Sequence, residues 1–192
     1  MSVWTWAGTD DGDAPDVVLT FAGDVPTTEI LAAADLLRRH LPDLKFRAVN
    51  VVDLMALAPP DEHPHGFDEK TFEALFPAEA PILFAFHGYR SLIRNLMFRR
   101  PCKDRVRIFG YVEEGTTTTP FDMAVLKGID RYHLALHAIA FLPETSIQAN
   151  TLRGFIRDKL EQHDRYIRQH GEDMPEVQYW RWEEWRSSHE IK

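Results

Sequence analysis

The sequence lacks the features that stabilise small secreted proteins and membrane proteins. It contains one cysteine, Cys102, so no disulfide can form within the chain, and such sparse cysteine use is typical of a reducing compartment. No apolar run reaches the roughly 18 residues that suggest a transmembrane helix. The first residues lack the basic start and apolar stretch of a signal peptide. We therefore expect a cytoplasmic protein that does not associate with membranes.

Motifs of common nucleotide-binding and hydrolytic enzymes are also missing from the sequence. No glycine pattern of a dinucleotide site and no glycine-lysine loop of a nucleotide triphosphatase occurs. The Gly-x-Ser-x-Gly turn of α/β-hydrolases is missing too. A formal charge of −8 over 192 residues argues against a surface built for nucleic acid, so we expect no nucleic-acid partner.

What the sequence does contain is the pattern of an α/β fold. Three nearly continuous apolar runs are typical of strands buried on both faces of a parallel sheet: 17–22, 46–52 and 82–86. Segments with helical spacing separate these runs, which gives βαβ units. Arginine and apolar residues alternate over 105–112, which predicts a strand near an edge of the sheet. We predict one three-layer α/β/α domain over residues 1–192, in which 172–192 form an extended, Trp-rich tail.

Several predicted helices carry boundary residues. We expect N-caps at Asp68, Thr119 and Asp130, because short polar side chains accept hydrogen bonds from free backbone N–H groups. Asp122 lies three residues after Thr119, which predicts a start similar to a capping box. The last long helix is predicted from about residue 148 to residue 170.

Ligands of parallel sheets usually bind at the carboxyl ends of the strands. Four polar residues are candidates at these positions: His63, His65, His87 and Tyr89. His63 and His65 flank a proline and are two residues apart, which is not the spacing of a helical metal pair, so we predict a structured turn without a metal. His87 follows a buried strand, where it could serve in function or donate to a backbone carbonyl. The sequence leaves both alternatives open.

A run of threonines is the most unusual local feature. It consists of Glu114, Gly115, Thr116, Thr117, Thr118 and Thr119, directly before a predicted helix. Hydroxyl groups at a helix N-terminus can bind an anion, although the neighbouring acids would repel one. Threonines also cap helices and satisfy backbone groups. We keep this loop as a candidate anion-binding or interdomain loop, with structural use as the favoured interpretation.

Basic residues are concentrated in one segment. Residues 90–107 hold seven basic side chains and one acid, a charge of +6, which leaves −14 on the rest of the chain. The segment could be a solvated helix face, a phosphate or nucleic-acid site, or a docking surface for an acidic partner. The surrounding excess of acid suggests pairing within the molecule or between subunits.

The tryptophans all lie near the two ends: Trp4, Trp6, Trp180, Trp182 and Trp185. They could pack on the core and fix the chain ends, or they could anchor an interface with another domain, where tryptophan is enriched. Trp4 and Trp6 alternate with smaller residues, which is compatible with a short additional strand.

Several strings, in order along nearly the whole chain, resemble the C-terminal domain of phosphoketolases. They are the run with Gly23 and Asp24, then 50–55, 62–66, 84–89, 113–123 and 170–176. The resemblance implies a transketolase C-terminal-domain-like sheet of five strands, mostly parallel, in which Val3 to Ala7 form the one antiparallel strand. It also implies a parent enzyme that depends on thiamine diphosphate and magnesium.

In such a parent, xylulose 5-phosphate or fructose 6-phosphate reacts with phosphate to give acetyl phosphate and an aldose phosphate. The family's cofactor and catalytic residues have no counterparts here, so the resemblance implies no cofactor and no catalytic residue in this chain. We expect a non-catalytic domain that supports assembly and the active-site surroundings. Its partners would be the N-terminal and middle domains of a homodimeric parent.

Two alternatives to this hypothesis remain at this point. The chain could be a regulatory module that binds an anionic effector at the carboxyl ends of the strands. It could also be an independent small enzyme that uses His87 with a carboxylate.

Overall fold

The computed structural model describes residues 1–182 except 114, 116, 144 and 145. The strands are β1 (Ser2–Val3), β2 (Val17–Ala22), β3 (Phe46–Asn50), β4 (Ile82–Tyr89) and β5 (Val106–Tyr111). The helices are α1 (Asp24–His40), α2 (Glu69–Leu75), α3 (Arg90–Leu96), α4 (Pro120–Lys127), α5 (Arg131–Ile139), α6 (Ile147–His170) and α7 (Pro175–Gln178). A 3₁₀ turn, Leu54–Leu57, follows β3.

The strands form one five-stranded sheet in the order β1-β3-β2-β4-β5. Strands β3, β2, β4 and β5 are parallel, and β1 pairs with β3 in the antiparallel direction. This confirms the predicted mixed sheet and places β5 at an edge. Helices lie on both sides. One core packs α1, α5 and α6 against the sheet, and a second core packs α2, α3 and the 3₁₀ turn against the opposite face.

The antiparallel strand is shorter than predicted and starts earlier. It covers only Ser2 and Val3 instead of Val3 to Ala7. The backbone N–H of Trp4 still donates to Ala48, but the N–H groups of Ala7 and the following glycine then donate back to the Trp4 carbonyl. The chain therefore turns at Trp4. The alternation at Trp4 and Trp6 reflects this turn, in which the two indole rings stack at 5.2 Å.

Most of the predicted helix boundaries are confirmed. The Asp68 carboxylate accepts from the backbone N–H of Thr71 at 2.7 Å, and Asp130 caps α5 through the N–H groups of its first turn. Helix α6 begins at Ile147, one residue earlier than predicted, because Ser146 caps it.

The capping box predicted for α4 is wrong. Thr119 occupies the N-cap position, but its side chain makes no bond to the helix. Its hydroxyl instead donates to the Asp173 carboxylate, which also accepts the free N–H of Phe121 at 3.1 Å. Asp122 contacts the buried imidazole of His163 at 3.2 Å. The N-terminus of α4 is thus capped by a carboxylate from the far end of the chain.

The two ends of the described chain contact each other through aromatic rings. The indole of Trp6 lies edge-on to Trp182 at 5.5 Å, and Trp4 packs against Phe21 of β2 at 5.1 Å. The Arg38 guanidinium of α1 covers the Trp182 ring at 5.0 Å. These contacts favour the interpretation in which the tryptophans fix the chain ends. Trp185 lies outside the described residues.

A buried ion pair joins α1 to α5. The Arg131 side chain donates to both carboxylate oxygens of Glu29, at 2.9 and 2.7 Å, and the Arg131 backbone N–H also donates to Glu29 at 2.8 Å. Both side chains are less than a tenth exposed. Removing one partner of such a pair leaves a buried charge without compensation, which is strongly unfavourable.

We predict that Glu29→Ala lowers the free energy of unfolding by about 3–5 kcal/mol, because Arg131 loses its buried counter-charge. The matched control is Asp164→Ala, which breaks an exposed helical Asp–Arg pair on α6 and should cost under about 1 kcal/mol. Urea unfolding of both variants measures the difference. Equal losses would show that the buried pair does not stabilise the fold.

Candidate functional site

The parallel strands bring most of the predicted site residues to one edge of the sheet. In the ladder, Phe21 of β2 pairs with Asn50 of β3, and Ala22 of β2 pairs with Phe86 of β4. Tyr89 of β4 pairs with Tyr111 of β5. The segments that follow β3, β2, β4 and β5 therefore leave the sheet at the same carboxyl edge.

His65 lies on this edge through a contact with Asp53. Its Nδ1 is 2.7 Å from the Asp53 carboxylate, which also accepts from the backbone N–H of Met55 at 2.9 Å. These hydrogen bonds, above all the one with His65, lower the pKa of Asp53 below its usual value. Asp53 thus joins the end of β3 to the following loop.

His63 belongs to the same turn. Its Nδ1 accepts the backbone N–H of His65 at 3.1 Å, and the two rings meet edge to face at 5.1 Å. The turn is tight: a Cβ atom on Gly66 would lie 2.4 Å from the Pro59 carbonyl oxygen. No group of three or more His, Cys, Asp or Glu side chains that could hold a metal occurs in the part of the chain that the structure describes.

Arg100 is a structural anchor of this loop that sequence reasoning missed. Its guanidinium is buried and donates to the carbonyls of Leu57, Ala58 and Phe67 at 2.6–2.8 Å. The Phe72 ring lies below it at 4.1 Å. Burial lowers the pKa of Arg100. The loop that carries His63 and His65 is therefore fixed to α2 and to the segment after α3.

Other basic side chains of segment 90–107 are also used within the molecule. Arg99 pairs with Asp61 at 2.6 Å and with Glu62 at 3.1 Å, and Arg105 donates to the carbonyls of Phe76 and Ala80. Arg107 covers the Phe141 ring at 4.5 Å. The contacts favour intramolecular pairing over a continuous phosphate-binding surface.

His87 pairs with a carboxylate instead of a backbone carbonyl. Its Nδ1 is 3.0 Å from the carboxylate of Asp24, the first residue of α1. Both side chains are more than half exposed. Because water reaches the pair, it lacks the exclusion of solvent that strengthens electrostatics in an active site. Its contact joins the end of β2 to the end of β4.

Gly23 allows the close approach of these two strand ends. Its φ of +103° is unfavourable for residues with a side chain. A Cβ atom at this position would lie 2.5 Å from Cβ of His87, well inside van der Waals contact. The close approach of His87 therefore explains why position 23, in one of the strings that resemble phosphoketolases, is a glycine.

Tyr89 ends β4 and precedes the first residue of α3. Its ring meets Tyr111 at 5.8 Å and is 57% exposed. The Tyr111 hydroxyl donates to Glu113 at 2.6 Å, and the same carboxylate accepts the backbone N–H of Gly115 at 3.1 Å.

Two polar groups of the threonine loop contact carboxylates. Gly115 donates to Glu113, and Thr119 donates to Asp173 at 2.5 Å. Thr117 is exposed and Thr118 is half-buried, while Glu114 and Thr116 lie outside the described residues. Negative charge at both ends of the loop opposes a bound anion. The anion-binding role of the loop stays a prediction.

A cavity of about 340 Å³ lies beside this loop, between the first turns of α1 and α4. Its ionisable lining consists of Asp24, Glu29, Asp173 and Arg131. Arg131 already compensates Glu29, so the two other carboxylates dominate the charge of the cavity.

Asp173 is a further residue of this region that sequence reasoning missed. It is separated by 54 residues from Thr119, which it binds, and no local pattern in the sequence indicates this contact.

Comparison with known proteins gives a consistent result. The family model described as "XFP C-terminal domain" matches residues 1–182. A "Probable phosphoketolase" from Bradyrhizobium diazoefficiens is 54% identical over 183 residues, which are 95% of this chain and 23% of that relative. "Probable phosphoketolase 2" from Nostoc sp. is 53% identical, and a "Probable phosphoketolase" from Nitrosospira multiformis is 52% identical, with the same coverage. The chain thus spans about a quarter of the length of these relatives.

We predict that Gly23→Ala destabilises the fold by more than Gly12→Ala does. Both glycines have positive φ, so both variants acquire backbone strain, but only position 23 gains a clash with His87. We expect a difference of about 1–3 kcal/mol, the usual cost of overpacking. In urea unfolding, adding His87→Gly should recover part of the loss in Gly23→Ala. No recovery would contradict the clash.

We also predict that Arg100→Met destabilises the chain by at least about 2 kcal/mol, since three carbonyl groups lose a buried donor. Arg94→Met is the control. It makes the same substitution at an arginine of α3 whose side chain is exposed to water. Limited proteolysis should cut the 58–67 loop faster in Arg100→Met only. Unchanged stability and cleavage would rule out Arg100 as the anchor.

Proposed function

The chain belongs to the XFP C-terminal domain family, and from this membership we propose that it is the non-catalytic C-terminal domain of a thiamine-diphosphate-dependent phosphoketolase. The parent reaction would convert xylulose 5-phosphate or fructose 6-phosphate and phosphate into acetyl phosphate and an aldose phosphate. The observation that carries the proposal is the match of 95% of this chain to relatives named phosphoketolase, at 50–54% identity.

The length relation supports a role as one domain of a larger enzyme. The chain corresponds to 23% of each of these relatives, so about three quarters of such an enzyme lies outside the segment matched here. In this proposal the other domains provide the reaction chemistry, and this domain contributes to assembly of a homodimer and to the active-site surroundings.

The described residues do not fit a site for the diphosphate and its metal. They contain no cluster of three or more metal-ligating side chains. Asp24 and Asp53 also place carboxylates at the carboxyl edge of the sheet, where they would repel a diphosphate. We therefore assign thiamine diphosphate and magnesium to the other domains of the parent.

No helix among the described residues is long and apolar enough to cross a membrane. We propose a cytoplasmic parent enzyme, in line with the sparse use of cysteine in the sequence.

We predict that the chain alone forms no acetyl phosphate from fructose 6-phosphate, phosphate, thiamine diphosphate and Mg²⁺. A chimera in which this chain replaces the matched segment of the Bradyrhizobium relative should form acetyl phosphate. The same relative truncated before that segment should lose its activity or its dimer. A hydroxamate assay and sedimentation measure these outcomes.

Acetyl phosphate produced by the isolated chain would overturn the proposal. If His87→Ala then abolished that activity, the independent-enzyme hypothesis would replace it. An inactive but well-assembled chimera would show that the chain is not a functional phosphoketolase domain.

A further inference from the structure

An open cavity of about 330 Å³ lies in the helical layer that contains α1, α5 and α6. Its walls come from the second half of α1, the first turn of α5, α6 and residues 176–181 near the end of the described chain. Sites for small molecules commonly have volumes of about 300–1000 Å³ and combine aromatic walls with a few polar groups. We call this space the helical-layer cavity.

Aromatic rings supply much of its wall. Tyr132 and Phe155 come from α5 and α6, and Tyr179 and Trp180 come from the segment after α7. Tyr179 is 67% exposed, and Phe155 and Trp180 are half-buried, so part of their apolar area remains accessible. A flat aromatic molecule would bury some of this area, which favours its binding.

Contacts within the chain hold these walls together. Lys159 of α6 donates to both carboxylate oxygens of Glu176 in α7, at 2.9 and 3.1 Å. The Arg131 guanidinium lies 5.4 Å from the centre of the Trp180 ring while it pairs with Glu29. The cavity is therefore preformed, which lowers the entropic cost of binding.

The Tyr132 hydroxyl is a donor without a hydrogen-bond partner in the described part of the chain. Tyr132 belongs to the core and is only 4% exposed, yet it lines the cavity. Its backbone N–H donates to Asp130 and its ring packs against Phe121, but neither contact uses the hydroxyl. Native structures satisfy most buried polar groups, because an unpaired one is unfavourable. Burial, and then the Glu176 carboxylate, raise the pKa of Tyr132, so the hydroxyl stays protonated and can donate.

The lining also contains one cation that no described carboxylate compensates. The Arg181 guanidinium donates to the Trp180 carbonyl at 2.9 Å and forms no ion pair within the described residues. The cavity beside the threonine loop has the opposite balance, with carboxylates in excess. The other cations of the helical-layer cavity are all paired: Arg39 with Asp35, Lys159 with Glu176 and Arg131 with Glu29. The charge of this cavity therefore favours a monoanion.

We infer that the helical-layer cavity binds a small aromatic monoanion of the aromatic carboxylate class. The ring packs on the aromatic walls, the Tyr132 hydroxyl donates to the carboxylate, and Arg181 supplies the counter-charge. Hydrogen bonds to an ionised acceptor are about twice as strong as those between neutral groups. The inference goes beyond the proposed function and does not depend on it, because all of these residues lie within this chain.

Titration calorimetry of the whole chain tests the inference. The probes are 2-naphthoate and the neutral 2-naphthalenemethanol, which has the same ring system. We expect 2-naphthoate to bind at one site per chain, at least about tenfold more tightly than the alcohol, because only the carboxylate accepts a charge-assisted hydrogen bond. Equal affinities would overturn the inference, and so would 2-naphthoate that gives neither heat nor a thermal shift.

Two substitutions locate the site. Tyr132→Phe removes only the hydroxyl and should weaken the binding of 2-naphthoate by about tenfold, whereas the control Tyr166→Phe, on α6 outside the cavity, should not. Arg181→Gln should weaken it by about two- to fivefold, as expected for an exposed charge. Its control is Arg94→Gln, the same change in charge on α3, which packs on the opposite face of the sheet.

The thermal midpoint without a probe separates binding from a structural role. Because the Tyr132 hydroxyl has no described partner, Tyr132→Phe should leave the midpoint unchanged or raise it. A lower midpoint would overturn the inference, since the hydroxyl would then stabilise the fold itself. Binding of 2-naphthoate that both Tyr132→Phe and Arg181→Gln leave unchanged would place the probe elsewhere and would also overturn it.

Discussion

The register of the parallel ladder is the constraint on which the other features depend. Backbone hydrogen bonds align β3, β2, β4 and β5 so that their carboxyl ends meet at one edge. Alternate side chains of β2 and β4 belong to two different cores, so a shift of one residue would exchange the side chains that face each core. This fixed register brings Asp24 to His87 and holds the ends of β2 and β4 together across Gly23.

Contacts from distant parts of the chain then fix the loops that leave this edge. Arg100 binds the carbonyls of the loop after β3, and Asp173 caps α4 after the threonine loop. The buried Glu29–Arg131 pair joins α1 to the first turn of α5. Each contact satisfies backbone or charged groups that would otherwise be buried without partners. The loops at the edge are thus held by the scaffold beneath them.

Local patterns in the sequence predict most helices and strands correctly. The features that these patterns did not predict depend on contacts between residues far apart in the chain or on backbone turns. The apolar runs of β2, β3 and β4 and the caps at Asp68 and Asp130 depend on neighbouring residues, so the sequence displays them directly. The cap on α4 comes from Asp173, and β1 ends early because the backbone turns at Trp4. Neither interaction leaves a periodic signal. The predicted strand ends indicated which segments lie at the edge, but not which carboxylates pair with His65 and His87.

The distribution of exposed apolar area separates two sides of the domain. At the chain ends, Trp4, Trp6 and Trp182 cover one another and pack on α1 and β2. Contacts within the chain therefore bury much of the apolar area of this region. At the carboxyl edge, Val52 and Tyr89 remain open although the loops around them are anchored. The two regions therefore differ in what holds them: aromatic rings cover one another at the chain ends, whereas hydrogen bonds from Arg100 and Asp173 fix the segments at the carboxyl edge.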